Sequence, residues 1–447
     1  MSDIDMMEVY NGTGTMQVCS PPGHILPPGQ WTPVEVAVGK YYMNRPGFKT
    51  RVRAAAFPWR EKDGLHLGWQ SPINYLDGYG STAEDMIEGL LEQGVCLHLY
   101  PVYGPPVTSN PAVQKALARK DEGLPPAVGI SYTTPGTFAR LPTPYKIGLT
   151  MYESTRPTAL HHQRAWSQKI NRVDLLLTPG QWLVEVWRDL GVRIPIRVIE
   201  LPGGGHFYKA PAWERPEGHF TVITWAIMRD RKSPVETAQV FMRAFPRRKY
   251  PDHRLIIKTR DGFCGGRQGW KPEFNDARIT IIDADYTPSE MVDLIRQAHV
   301  CLYLSRGEGS GRTPREALGL GLPLICADNT SMATACDSRF MYPIPTKSWE
   351  RASIGGEWAV PDWDYAVHTL RHVYANYGEA MRKARRGREW AHEHFSPAAC
   401  AKGLLQAIAD VEPHTARLFA RQERERARTA PPPGPGPRGT VIKVRRS

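Results

Sequence analysis

Short apolar runs separated by amphipathic stretches recur along most of this chain, and that alternation constrains its fold more than any other feature. LHLGWQ, VCLHLY, KIGLT, VDLLLT and IRVIEL follow one another between residues 65 and 201. HFTVITW, RLIIKT, RITIID, VCLYLS and LPLICA follow between 219 and 327. Most of these runs are the length of a strand and apolar on both faces, as in a sheet covered on both sides. Helical patterns lie between them. Ser81 or Thr82 caps a stretch that Gly94 stops, and further helices read over 158–171 and 181–190. Ser233 caps another with Pro234 at its first position, and Thr287 caps the next. Strand–helix alternation of this kind builds parallel, doubly wound α/β sheets.

The chain has 447 residues, enough for two or three domains. GGGH at 203–206, with the proline-rich stretch after it, reads as a joint between two Rossmann-like domains, 61–205 and 206–395. Residues 1–60 are rich in Gly and Pro, and WTPVEVAVG alternates like a strand, so this region reads as a partly β N-terminal extension. The helical stretch 363–395 is followed by a last helix over 396–425. Residues 426–447 are basic and rich in Pro and Gly, the composition of a disordered tail. Two such domains with a joint between them place a ligand cleft at the strands' carboxyl ends.

Several function classes drop out at this stage. No run approaches the roughly eighteen apolar residues of a membrane span, and the first residues lack the basic-then-apolar pattern of a secretory signal. The seven cysteines are scattered with no C-x-x-C pair, which indicates neither a zinc site nor a disulfide framework. A cytoplasmic protein without metal is the expectation. The net charge is +12, and it is unevenly spread: the first Rossmann-like segment is near neutral while both ends of the chain are basic.

The densest chemistry sits in SRGEGSGRTPREALGLGLPLI, residues 305–325. A strand leads into a glycine-rich loop and then a short helix. Glycines let backbone N–H groups approach a ligand, and a helix N-terminus adds partial positive charge, so the loop suits a phosphate. Arg312 adds a full charge beside it. A plainer reading stands alongside: Thr313 and Glu316 have capping-box spacing, in which case Glu316 only satisfies a helix end.

This segment resembles the donor-binding region of retaining, family-four-like glycosyltransferases of the GT-B fold. The resemblance rests on E-x7-E, here Glu308 and Glu316, followed by Ala317, Gly321, Pro323 and Ile325. It extends more weakly over about residues 61–395. It implies that Glu308 holds hydroxyls of a donor sugar and Glu316 the nucleotide ribose. The backbone at Ser310, Gly311, Arg312 and Thr313 would meet a diphosphate, and Arg231 and Lys232 would neutralise it as it leaves. Lys258 is a further phosphate candidate, or a lysine snorkelling from a strand end. Gly78 and Gly80 would form a second loop near the donor, and Glu153 would face the cleft from the first domain. His161 and His162 lie on the next helix's first turn. The implied donor is a UDP- or GDP-type sugar and no metal is needed, so Asp283 and Asp285 read as loop aspartates. Ser310 stands where the family often has an aromatic residue.

The acceptor is a separate question. Lys40, Arg45, Lys49, Arg51, Arg53 and Arg60 are interleaved with aromatic residues and no acidic ones. That suits a nucleic-acid strand through counterion release and stacking. A hydroxymethylated base in DNA is therefore the leading acceptor. A cell-surface glycan or lipid, reached by peripheral membrane contact, is the alternative. A non-catalytic nucleotide-sugar or nucleic-acid binding protein on the same scaffold is the reading from another class.

Overall fold

The computed structural model describes residues 65–119, 126, 128–155, 161–260 and 274–410, the side chains of 161–164 excepted, together with the backbone of five strands before them. Those five are β1 (Met6–Asn11), β2 (Gln17–Val18), β3 (Ile25–Leu26), β4 (Trp31–Glu35) and β5 (Phe48–Val52). They pair antiparallel in two small sheets, one in the order β4-β1-β5 and one of β2 with β3.

The first domain is built on β6 (His66–Ser71), β7 (Cys96–Pro101), β8 (Val128–Tyr132), β9 (Tyr145–Leu149), β10 (Leu175–Thr178) and β11 (Ile196–Val198). They pair in parallel in the order β11-β10-β9-β8-β6-β7. The second domain repeats the scheme with β12 (Thr221–Trp225), β13 (Arg254–Thr259), β14 (Ile279–Asp283), β15 (Val300–Tyr303), β16 (Leu324–Ala327) and β17 (Tyr342–Ile344), ordered β14-β13-β12-β15-β16-β17. Each domain buries its own apolar core. In both sheets the connections reverse direction beside the first strand, at β6/β8 and at β12/β15. A ligand crevice opens outside the carboxyl ends of the strands at such a point.

The helix Pro397–Ala409 returns to the first domain: Cys400, Leu404, Leu405 and Ile408 lie in its core. Ser396 caps this helix and Pro397 occupies its first turn. Where it crosses the helix Gly78–Glu92, a Cβ on Gly89 would stand 2.1 Å from the Pro397 carbonyl oxygen. Gly89→Ala is therefore expected to cost about 1–3 kcal/mol by forcing the two helices apart, read as a lower midpoint in urea unfolding.

The structure departs from the sequence reading in places with physical causes. The helix expected over 396–425 is seen from Pro397 to Ala409, and 411 onward, the basic tail included, lies outside the described residues. The stretch 363–395 is two helices, Trp363–Ala375 and Tyr377–Phe395, divided at Asn376, whose φ of −115° and ψ of 42° are not helical. Strand β8 escaped notice because it carries Gly129, a poor strand former. A Cβ at Gly129 would meet the Thr143 hydroxyl at 2.7 Å, which explains the glycine. An antiparallel hairpin, β18 (Thr346–Arg351) with β19 (Glu357–Pro361), was also unexpected. It fastens the second domain to the first, as Tyr152 donates to the Ile354 carbonyl at 2.6 Å and Thr155 bridges Glu357.

Candidate active site

Both switch points open onto one cavity of about 620 Å³ between the domains. Its first-domain wall is the loop after β6, the helix that follows, and Met151 and Glu153 after β9. Its second-domain wall is the end of β12, the 3-10 turn Asp230–Lys232, the carboxyl end of β13 and the loop after β15. His206 and Phe207 of the joint close one side.

At the centre is Glu308, buried with both carboxylate oxygens engaged. Oε1 accepts from Lys232 Nζ, from Tyr303 Oη at 2.7 Å and from Ser305 Oγ at 2.6 Å. Oε2 pairs with Arg231 Nη1 at 3.2 Å. Arg231 Nη2 in turn reaches Glu153 Oε1 at 2.8 Å. Burial alone would raise the Glu308 carboxyl, but the Lys232 and Arg231 charges outweigh it and hold the pKa down at about 2. Two cations from one domain and carboxylates from both thus meet at the floor of the cleft. The loop comes this close because it is glycine there. A Cβ on Gly307 would sit 2.6 Å from the Glu153 carbonyl oxygen, and one on Gly309 would sit 2.4 Å from Met151 Cγ.

The helix after the loop runs Arg312–Leu320, and its cap is Gly311, in the left-handed region at φ 67°. The capping box expected from Thr313 and Glu316 does not form. Thr313 Oγ1 donates to the Trp225 carbonyl at 2.9 Å instead. Glu316 is left to face the cleft, where Trp225 Nε1 donates to Oε2 at 2.6 Å and Arg312 Nε donates to Oε1 at 2.7 Å. Burial raises the Glu316 pKa. Arg312 also spans the domains, pairing with Asp85 Oδ2 at 2.7 Å and donating to Thr82 Oγ1 at 3.1 Å. Asp85 holds the joint as well, accepting from Gly205 N at 2.8 Å. Behind the loop lies Arg315, fully buried. It donates to Ser310 Oγ at 2.8 Å and pairs with Glu200 Oε2 at 2.7 Å, which fixes the turn from within.

The remaining expected residues fall as follows. Gly78 lines the cavity; Gly80 does not, because it is pressed against Asn74, whose carbonyl oxygen would lie 2.4 Å from a Cβ. Both are in the first turn of the helix Gly78–Glu92, which Asp77 caps, rather than Ser81 or Thr82. Lys258 lines the cavity, with Nζ donating to the carbonyls of Thr259 at 2.7 Å and Ala284 at 2.6 Å and lying over the Tyr286 ring at 4.5 Å. Asp285 pairs with Arg260 at 2.9 Å. The side chains of His161 and His162, and those of Lys40, Arg45, Lys49, Arg51, Arg53 and Arg60, lie outside the described residues.

Sequence reasoning missed Asp85, Trp225, Arg315 and Glu84. Trp225 ends a predicted strand at the switch point, and that position was the available signal; the others look like ordinary helix charges. Glu84 lines the cavity, and burial pushes its carboxyl up to about 7. A raised carboxyl means the folded protein keeps a proton that the unfolded chain releases, so stability falls as pH rises from 4.5 to about 7. Glu84→Gln is expected to match the parent below that window. Above it the variant should be more stable by on the order of 1–2 kcal/mol, given screening by cavity water. Thermal unfolding across pH checks this.

Comparison with known proteins bears on the fold. Residues 273–404 match the family described as Family 4 Glycosyltransferase in conflict systems. No curated protein matches the sequence. Among solved structures, Anabaena HepE in complex with UDP-glucose aligns with a TM-score of 0.55 at 12% identity, over 78% of this chain and 100% of that one. Sucrose-phosphate synthase from Thermosynechococcus elongatus aligns with a TM-score of 0.54 at 12% identity, over 80% of this chain and 100% of that one. The chain has the GT-B fold, as the E-x7-E resemblance implied. Among the described residues, no helix is long and apolar enough to cross a membrane.

Proposed function

We propose that this GT-B protein is a glycosyltransferase that moves a sugar from a nucleoside diphosphate donor to an acceptor hydroxyl with retention at the anomeric carbon. The observation that carries the reading is the buried Glu308–Arg231–Lys232 cluster beside an amide-lined helix start, on the floor of a two-domain cleft. Fixed cations and N–H donors aimed where negative charge builds stabilise a departing diphosphate. Arg231 and Lys232 are the cations; the backbone of Ser310, Gly311, Arg312 and Thr313 supplies the donors. Glu308 holds sugar hydroxyls. Glu316 takes the ribose, exchanging its bonds to Arg312 and Trp225 for bonds to the ribose hydroxyls. Lys258, Gly78 and Glu153 line the donor's surroundings. HepE is described with UDP-glucose, which makes a UDP-sugar the first donor to try.

For the chemistry, the bond from the anomeric carbon to the phosphate oxygen breaks while the bond to the acceptor oxygen forms on the same face. The acceptor's proton passes to the departing phosphate oxygen. A double displacement would need a carboxylate nucleophile about 5 Å from an acid. Glu308 is unsuited to that role, because two cations and two hydroxyls already hold its oxygens. Since Arg231 and Lys232 supply the positive charge, turnover is expected to survive a chelator. The test is incubation with UDP-, GDP- and ADP-sugars while released nucleoside diphosphate is measured. Release with at least one donor supports the reading. Tight nucleotide binding with no release from any donor would instead make the chain a binding protein on this scaffold.

The acceptor reading rests on the basic, aromatic stretch 40–60 and the basic tail. Its candidate is a hydroxymethylated base in DNA, held through phosphate contacts. Six such contacts predict that affinity for duplex DNA falls by about 10³ between roughly 50 and 200 mM salt. A gel shift across that range reads it. Salt-insensitive or absent binding would turn the acceptor toward a glycan or a lipid.

A further inference from the structure

A second cluster of chemistry lies in the first domain, away from the cleft. Along a strand, side chains two residues apart share a face, so Cys96 and His98 of β7 point the same way. In the parallel pair β6–β7, His66 is the register partner of Cys96, so its ring stands beside theirs. One ligand atom from each of the three residues lies within 4.8 Å of the others. His66 Nδ1 and His98 Nε2 are 3.0 Å apart, with ring centroids separated by 5.3 Å. Both imidazoles are buried, and Cys96 is half-buried. The cysteine count missed this group because its members come from two strands rather than from one C-x-x-C turn.

We propose that His66, Cys96 and His98 supply three of the ligands of a zinc site. Two nitrogens bound at about 2.0–2.1 Å to a tetrahedral ion stand roughly 3.3 Å apart, so the imidazoles need move only slightly. Two imidazoles and one thiolate suit a borderline-soft divalent ion. The exposed guanidinium of Arg119 lies against Cys96 Sγ and has to leave it for an ion to bind there. His66 is the first residue of β6, and the donor cleft lies beyond the strands' other ends. The site therefore has a structural role: it pins the edge strand β7 to its neighbour. It does not depend on the proposed transferase activity.

The test uses the full-length protein, stripped by dialysis against a chelator and titrated with Co²⁺ and then Zn²⁺. One equivalent of Co²⁺ is expected to give a thiolate-to-cobalt charge-transfer band that Zn²⁺ abolishes. Cys96→Ser should lose the band, and His98→Asn should bind at least about tenfold more weakly. No band, or the same band in Cys96→Ser, would overturn the site. Because a variant in a buried strand can misfold, a second measurement uses the unaltered chain. Zn²⁺ should slow alkylation of Cys96 at least about tenfold relative to half-buried Cys336, as mapped by peptide mass. An unchanged Cys96 rate at saturating Zn²⁺ would equally refute the proposal.

Discussion

Glu308→Gln is expected to lower kcat by about 10²–10³, the size of effect seen when one preorganised polar contact to a transition state is removed. The same substitution should weaken the fold. Glu308 is buried and answers two cations, so removing its charge leaves Arg231 and Lys232 in low dielectric with only Glu153 to offset them. Breaking a buried pair from one side costs about 3–5 kcal/mol. The depressed carboxyl leads to a figure of the same order. A carboxyl held at about 2 against an ordinary 4.5 contributes on the order of 3 kcal/mol. The sign follows from the depressed value: this stability is fully present above pH 4.5 and is lost as pH falls toward 2. Parent and variant should therefore differ most near neutrality and converge in acid, as read by urea unfolding at several pH values. A nucleoside diphosphate should also raise the midpoint of the variant more than that of the parent, because its negative charge takes over part of the missing carboxylate's task.

Arg231→Ala carries the second large effect. Arg231 is the hub between the domains' carboxylates, bonding Glu308 and Glu153 and donating to the Gly307 carbonyl. If it stabilises charge on the departing diphosphate, kcat should fall by about 10²–10³ while donor KM changes much less. Free guanidinium in the buffer should restore part of the lost rate in Arg231→Ala and none in Glu308→Gln. Lysine is a poor replacement here, since one ammonium cannot span two carboxylates and a carbonyl with a planar fork. An equal fall in kcat/KM caused wholly by KM would assign Arg231 to ground-state binding instead.

The sheets were legible because parallel strands buried on both faces, such as VDLLLT and VCLYLS, leave unbroken apolar runs. Glu308 and Glu316 were legible because their spacing sits inside a glycine setting that few other sites require. What escaped was set by contacts between distant segments. The helix start at Arg312 was misread by two residues because Gly311 in the left-handed region, rather than the Thr313 hydroxyl, caps it. Asp85 reads as one more charge on an amphipathic helix until Arg312, 227 residues away, closes on it. The hairpin β18–β19 has no helix between its strands and so falls outside the strand–helix rhythm that organised the reading. The His66–Cys96–His98 group depends on register between two strands, which periodicity within either strand does not reveal.

The central claim is that a nucleoside diphosphate seats its phosphates between Arg231, Lys232 and the start of the helix Arg312–Leu320. A crystal structure with bound UDP or GDP tests it most directly. The account predicts the β-phosphate within about 2.7–3.2 Å of Arg231 or Lys232 and of backbone amides in 310–313, with Glu316 released from Arg312 onto the ribose. Phosphates bound elsewhere, or a nucleotide held while Glu316 keeps both Arg312 and Trp225, would contradict it.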